Sequence, residues 1–276
     1  MSYYSFIRVD GTRRVAVNKD FFTSRNIFKD IYNISFTFET LTPIHIGSGD
    51  VKIINSTPLY LHIKDADGHP TIPGSSMKGL ISTLYLALCG RISDVSELFG
   101  TTSKIGGEIS SVISKTFFND LKVVGNYKTI LKSLPRLWSP RRRPEYPAVK
   151  YYLDVQYVEP KGINQFIECV DEGAKFQGNI IGYCLKPWEV GGLIMSLGLK
   201  ILNEKTYVKT LKVGYAKPQG LGKIRLILES LKIEKCEVDR QTLNPNIIVE
   251  RNIKHYIDAF LEKYTESSKR YEEVFK

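Results

Sequence analysis

The chain has 276 residues, 42% of them apolar and 25% charged, which is ordinary globular composition and enough to bury a core. Its formal charge is +10, which points to a polyanionic partner and says nothing about fold. No apolar run has the length of a membrane span, Met1-Ser-Tyr-Tyr-Ser-Phe-Ile-Arg lacks a signal-peptide layout, and Cys89, Cys169, Cys184 and Cys236 form no C-x-x-C pair, so a soluble cytoplasmic chain with reduced cysteines and no metal cluster is expected.

Residues 1–32 mix Arg8, Arg13, Arg14, Lys19 and Arg25 with Tyr3, Tyr4, Phe6, Phe21 and Phe22, and read either as an arm on a neighbour or as a first hairpin. Ile34–Leu41 alternates apolar and polar residues, the pattern of a half-buried strand. A loop marked by Gly47 and Gly49 follows; Leu59–Ile63 is a second strand, and Lys64–Pro70 a turn. Thr71-Ile-Pro-Gly-Ser-Ser-Met-Lys-Gly-Leu80 then reads as a tight turn opening a helix. Ser75 or Ser76 caps it, Leu80, Leu84, Tyr85 and Leu88 recur at helical spacing, and Gly90 stops it. Orphan amides, two hydroxyls and Lys78 converge at Gly74–Lys78, which favours an anion. The bland alternative is a capped surface helix with a solvated lysine. A Walker A loop is excluded, because Lys78 precedes Gly79 and Leu80 follows.

Ser93–Phe99 predicts a short helix ending at Gly100, Thr101–Gly107 a polar loop, and Ile109–Leu121 either strand or helix. Residues 121–150 hold eight cations, among them Arg141, Arg142 and Arg143, against the single acid Glu145. Tyr127, Trp138 and Tyr146 are interleaved, and Pro135, Pro140, Pro144 and Pro147 forbid a continuous helix. The stretch reads as a basic, aromatic insertion suited to phosphates and bases, or as a surface loop. Tyr151–Tyr157 is a strand, and Asn164–Val170 and Phe176–Leu185 predict a hairpin across Asp171-Glu-Gly173. Pro187 opens a helix running to about Asn203. Gly214-Tyr-Ala-Lys-Pro-Gln-Gly-Leu-Gly-Lys is a glycine-rich loop carrying Lys217 and Lys223, followed by strand Lys223–Glu229; a helix at 251–275 closes the chain. Each half has a β-α-β rhythm. The expectation is one α+β domain over 1–276, a ferredoxin-like or RRM-like antiparallel sheet core at about 34–230 with insertions.

Among single residues, His45 is a candidate general base, though a lone histidine beside a strand end is more often structural. Asp65-Ala-Asp67-Gly resembles the start of an EF-hand loop, but nothing after Pro70 continues the pattern, so a polar turn is expected.

Leu41-Thr-Pro-Ile-His-Ile-Gly-Ser-Gly49, Ile72-Pro-Gly-Ser-Ser-Met-Lys-Gly79 and Gly214–Lys223, with Leu98-Phe-Gly100, occur in that order. The combination resembles the RAMP subunits of type III CRISPR interference complexes, over roughly 34–230. The resemblance implies an RRM-like core whose glycine-rich loops sit against a guide RNA backbone. It assigns RNA contacts to His45, Gly47, Gly49, Gly74, Ser75, Ser76, Lys78, Lys217, Gly220, Gly222 and Lys223, with Arg141–Arg143 on a partner-contacting insertion. Guide CRISPR RNA, target RNA and other effector subunits are the implied partners, with no membrane and no cofactor. The family's target-cutting subunit carries an aspartate before an S-P step; here Ser56-Thr57-Pro58 stands there, and the late arginine of the first helix is Ser82 or Thr83. A non-cleaving, architectural RNA-binding subunit is therefore expected. Two enzymes compete with it. One is a Mg- or Mn-dependent endoribonuclease using Asp50 first, then Asp65 or Asp67. The other is a metal-independent RNA-processing enzyme using His45.

Overall fold

The computed structural model describes residues 3–10, 31–105, 108–134, 144–156, 165–238 and 245–276. The readings placed on 11–30, on Pro135, Arg136, Trp138 and Pro140, and on Arg141, Arg142 and Arg143 lie outside them.

The first half runs β1 (Tyr4–Arg8), β2 (Ile31–Thr40), β3 (Gly47–Ile54), β4 (Thr57–His62), β5 (Thr71–Ile72), α1 (Gly74–Cys89), α2 (Ile92–Phe99), β6 (Thr101–Ile105), β7 (Glu108–Val112), β8 (Thr116–Phe118), β9 (Leu121–Val124) and β10 (Thr129–Leu134). The second runs β11 (Ala148–Tyr152), β12 (Gln165–Val170), β13 (Lys175–Tyr183), α3 (Pro187–Ser196), β14 (Leu199–Leu202), β15 (Lys205–Val208), β16 (Thr210–Lys212), β17 (Lys223–Leu226), β18 (Lys232–Val238), β19 (Pro245–Glu250), α4 (Ile253–Lys263) and α5 (Ser267–Val274).

The central sheet has the order β16-β17-β2-β13-β9-β5. Taking β2-α1-β9-β13-α3-β17 as the core path, its strands lie fourth, first, third, second, all antiparallel. That is the ferredoxin-like arrangement within a mixed α+β fold, as the alternating patterns predicted. On β2, Tyr32, Ile34, Phe36 and Phe38 are buried on one face. Asn33, Ser35 and Glu39 alternate with them and stay partly exposed. On that polar face Asn119 Nδ2 donates to Asn179 Oδ1 (2.8 Å), Asn179 Nδ2 to Asn33 Oδ1 (2.8 Å) and Asn33 Nδ2 to Glu234 Oε2 (3.1 Å), a ladder of side-chain bonds across the strands.

α1 buries Met77, Ile81, Leu84, Tyr85 and Leu88 beneath the sheet. α3 crosses α4 through Gly191 and Gly192. A Cβ on Gly191 would lie 1.9 Å from the Tyr256 carbonyl oxygen, and one on Gly192 2.3 Å from the Tyr85 ring. The Gly-Gly pair is what lets these helices approach, so it belongs to the core.

Several local expectations are corrected. α1 is not capped by Ser75 or Ser76. Its N-cap is Pro73 without a side-chain cap, and the Gly74 amide is taken by Asp120 Oδ1 at 2.7 Å. The helix ends at Gly90 as expected, with φ +74°. β12 and β13 are not a hairpin: β12 pairs with β10 and, in parallel, with β4, while β13 pairs with β2, β8 and β9. Asp171–Gly173 carries the chain between two sheets, held by Thr40 Oγ1 on the Asp171 carbonyl (2.8 Å). α3 stops at Ser196, not near Asn203, because Gly198 turns the chain at φ +90° into β14. The first four residues of the basic stretch, Leu121–Val124, are the core strand β9 rather than insertion. The residues between Gly107 and Leu121 hold strands β7 and β8, and the strand expected at 151–157 is Ala148–Tyr152, paired with β1. The closing helix is two, broken at Tyr264–Glu266.

Candidate functional site

The loop leaving β2 and the glycine-rich loop before β17 are hydrogen-bonded backbone to backbone. Tyr215 N donates to the His45 carbonyl (2.8 Å), Gly222 N to Pro43 O (3.0 Å) and Leu41 N to Lys223 O (2.8 Å). Lys223 N donates to Thr42 Oγ1 (3.0 Å). Gly214 has φ +81°, and a Cβ there would lie 2.2 Å from the His45 carbonyl oxygen. Gly222 has φ +75° and its Cβ would lie 2.0 Å from Val213 O. Both positions therefore admit no side chain. Ile167 and Cys169 of β12 pack with Ala216 and Leu221 into a small apolar cluster beneath the loop.

His45 is buried. Its Nδ1 donates to the Glu168 carbonyl at 2.7 Å, so in the neutral ring Nε2 is the bare nitrogen. Burial lowers its pKa, opposed by the Glu168 carbonyl and carboxylate. His62 lies beside it, ring centroids 6.0 Å apart, and its Nδ1 accepts from Ile46 N (3.2 Å). Burial, then His45, push His62 down to about 4. The Glu168 carboxylate takes His62 N and Lys64 Nζ, both at 3.0 Å. Burial pushes that carboxyl up, and Lys64 with the His62 amide holds it below its usual range. The two histidines thus fasten the loop to β12.

A stability test follows from His62. The unfolded ring binds a proton below 6.5 and the folded ring only below about 4. The contribution is complete above 6.5 and is lost as pH falls through that window, a cost of roughly 3 kcal/mol. Denaturant titrations across these pH values should give His62→Gln a shallower pH slope than the wild type; equal slopes would remove His62 from the acid response.

Between the N-terminal half of α1, β11 and β16 opens a cleft of about 750 Å³. Its lining includes Gly47, Ser76, Gly79 and Thr83 on one side and Tyr152, Gly214 and Tyr215 on the other. Five lysines line it, Lys150, Lys209, Lys212, Lys217 and Lys276, against one acid, Asp154. Lys150 Nζ lies 3.8 Å from the Tyr4 ring centroid and 4.8 Å from that of Tyr152; Lys217 Nζ is 5.3 Å from Tyr152. The rings brace the two cations. Lys217 also donates to Gly214 O at 2.6 Å, and burial, then Lys150, lower its pKa. Lys212 donates to the Leu153 carbonyl; burial brings it down to about 8, Asp154 opposing and Lys223 adding to the fall. Lys209 pairs with Glu272 (3.7 Å) and Lys223 with Asp154 (2.5 Å). Lys150, Lys212 and Lys217 are thus crowded, part-desolvated cations, which an entering oxyanion relieves.

Gly47 and Ser76 line this cleft, and Lys217 projects from the glycine-rich loop into it. Gly74 does not: a Cβ there would lie 2.1 Å from Phe118 O, so its glycine serves close packing. Ser75 is exposed, and Lys78 is half-buried with its pKa lowered by that burial. Gly49 (φ +97°) stands in β3, and Gly220 (φ +88°) ends the turn Lys217–Gln219. Asp50 is exposed on the β3–β4 hairpin, whose tip Asn55-Ser56 has both φ values positive. Asp65 Oδ1 accepts from Asp67 N (3.1 Å) and His69 N (2.9 Å), closing its own turn, and Asp67 is exposed. Among the described residues no group of three His, Cys, Asp or Glu is placed to hold a metal ion. Sequence reasoning did not single out Lys150, Tyr152 or Lys212 as site residues. The signal available was the Lys150-Tyr-Tyr alternation beside the basic stretch.

No helix among the described residues is long and apolar enough to cross a membrane. A search of curated proteins gave no match. A family profile described as RAMPs, the RAMP superfamily, matches residues 37–273, which includes both glycine loops, α1, the end of β2 and the other core strands. With that match over most of the chain, and with the ferredoxin-like sheet and its interlocked loops, this protein belongs to the RAMP superfamily of CRISPR-associated proteins.

Proposed function

We propose that the chain is an architectural RNA-binding subunit of a type III CRISPR effector, holding the guide RNA backbone in the lysine cleft and helping assemble the complex for antiviral RNA targeting. One observation carries this reading: five lysines face a single acid in a cleft walled by α1 and the glycine-rich loop. Phosphate contacts position RNA without reading its sequence, which suits a subunit that must accept any guide. The core at 34–230 supplies most of the cleft, and the C-terminal residues Val274, Phe275 and Lys276 complete its wall. This reading needs no resident cofactor and gives the chain no cutting role: Ser56 at the hairpin tip offers no carboxylate, and Asp65 is spent on its own turn.

The test is single-stranded RNA binding against salt. The logarithmic salt slope should fall by about 0.7 for each phosphate contact removed. Lys150→Ala with Lys217→Ala should therefore flatten the slope by roughly 1.4 and weaken affinity at low salt for all sequences alike. Unchanged affinity and slope would move the RNA elsewhere. Lys212 adds a pH signature. It loses its proton near 8, so affinity should fall as pH rises through that value, and Lys212→Arg should remove the fall. Assembled complexes carrying Asp50→Ala, Asp65→Ala and Asp67→Ala should still cut target RNA with Mg²⁺ at every position; a lost cut would make this subunit a nuclease.

A further inference from the structure

The outer edge of the central sheet beyond β18 is β19, which among the described residues pairs only with β18. Ile247, Ile248 and Val249 are exposed in succession, by 60%, 40% and 48%, so apolar side chains stand on both faces of the strand. Natural edges are blunted by charge, bulges or shortness. Three other edges follow that rule: β3 has Asp50, Lys52 and a register shift, β16 is three residues long and ends in Lys212, and β5 has two residues. Pro245-Asn-Ile-Ile-Val-Glu250 has no lysine and no bulge against β18. Its proline is the first residue, where a missing donor costs the ladder nothing.

We propose that β19 is a docking edge for β19 of a second copy of this chain, antiparallel about a twofold axis through Ile248. The sequence is self-complementary in that register. Ile248 meets its own mate, Ile247 meets Val249 of the second copy, and Asn246 meets its Glu250. Directly opposed residues share a face, so each apolar side chain meets an apolar one and no like charges are opposed. A twofold axis normal to the sheet requires a residue to pair with itself; centring on Ile247 would set Asn246 against Ile248 and Pro245 against Val249, whereas centring on Ile248 matches apolar with apolar. Charge agrees with this occupant. On a chain of +10, two copies repel wherever basic surfaces meet. Behind β19, though, Lys232 pairs with Glu234 (2.5 Å) and Lys235 with Glu237 (2.8 Å), leaving the strip neutral. Six residues of strand bury little area, so the dimer is weak and concentration-dependent.

Sedimentation velocity on the full-length, RNA-free chain over a rising concentration series is the experiment. Reversible dimerisation is expected, and Ile248→Lys should abolish it while leaving the melting temperature unchanged. In a Cys236→Ser background, single cysteines placed in turn at 246–250 should give most oxidised dimer at 248. A monomer at every concentration, a dimer that survives Ile248→Lys, or a cross-linking maximum away from 248 each overturns the proposal. So does a wild-type monomer whose Ile248→Lys form fails to join the effector complex, since the edge then belongs to a different subunit.

Discussion

Gly214→Ala is expected to cost roughly 3 kcal/mol of stability and to weaken RNA binding at least tenfold, the estimate combining left-handed backbone strain with a steric clash. The residue sits at φ +81°, where any side chain costs about 1–2 kcal/mol. The added methyl also lands 2.2 Å from the His45 carbonyl oxygen, the acceptor of the Tyr215 amide. The loop must retreat, taking with it the carbonyl that orients Lys217 and the backbone joint to Pro43–His45. Thermal unfolding should record a drop of roughly 6–12 °C for a chain of this size. Gly49→Ala provides the control. Its φ is +97°, but nothing lies within 4 Å of the new methyl, so it carries strain without collision. Equal losses in the two variants would mean that the interlocked loops do not matter.

Glu189→Ala should be the most damaging single change of charge. Lys115 is 2% exposed and is held by Glu189 at 2.9 Å and Glu97 at 2.7 Å. Burial pushes its pKa down, and the two carboxylates more than restore it, so it folds as a cation. Glu97 is 41% exposed and cannot replace the buried partner. Glu189 also accepts the Lys186 amide at 2.8 Å, at the start of α3. Breaking a buried pair by removing one member typically costs 3–5 kcal/mol, because the remaining charge stays desolvated. Replacing both members by apolar residues of similar volume avoids that penalty. Denaturant titration should therefore place Lys115→Met with Glu189→Leu within about 1–2 kcal/mol of the wild type, and Glu189→Ala well below it. A single variant as stable as the double would show that the lysine finds water instead.

What the residues disclosed in advance is what depends on near neighbours in the chain. The alternation of β2, the spacing of α1 and its glycine stop, and Pro187 opening α3 are local signals, and each element formed. The three motif loops were legible for the same reason. The errors share a cause. Asp171-Glu-Gly173 has the composition of a hairpin, but Thr40, far away in sequence, holds it as a passage between sheets. Ser75 and Ser76 have the right chemistry for capping, yet Asp120, distant in sequence in the connection between β8 and β9, reaches the first amide of the helix. Lys150, Lys212 and Tyr152 gain their meaning from a cleft assembled by β11, β16 and α1; Lys150 and Tyr152 alternate on β11, but no spacing rule ties them to Lys212. The resemblance implies loop glycines set against an RNA backbone; at Gly214 and Gly222 the space a side chain would take is filled by the chain's own carbonyls.

The place of β2 also governs when the molecule can fold. β2 is complete at residue 40, but it pairs with β13 at 175–183, with β17 at 223–226 and with β18 at 232–236. During synthesis its row of phenylalanines has no sheet to join until most of the chain has been made. Closure of such distant contacts is slow, and unpaired strands are aggregation-prone while they wait. The nascent chain should therefore depend on chaperone protection until β17 and β18 emerge, and pulsed hydrogen exchange should find the β2 amides among the last to gain protection.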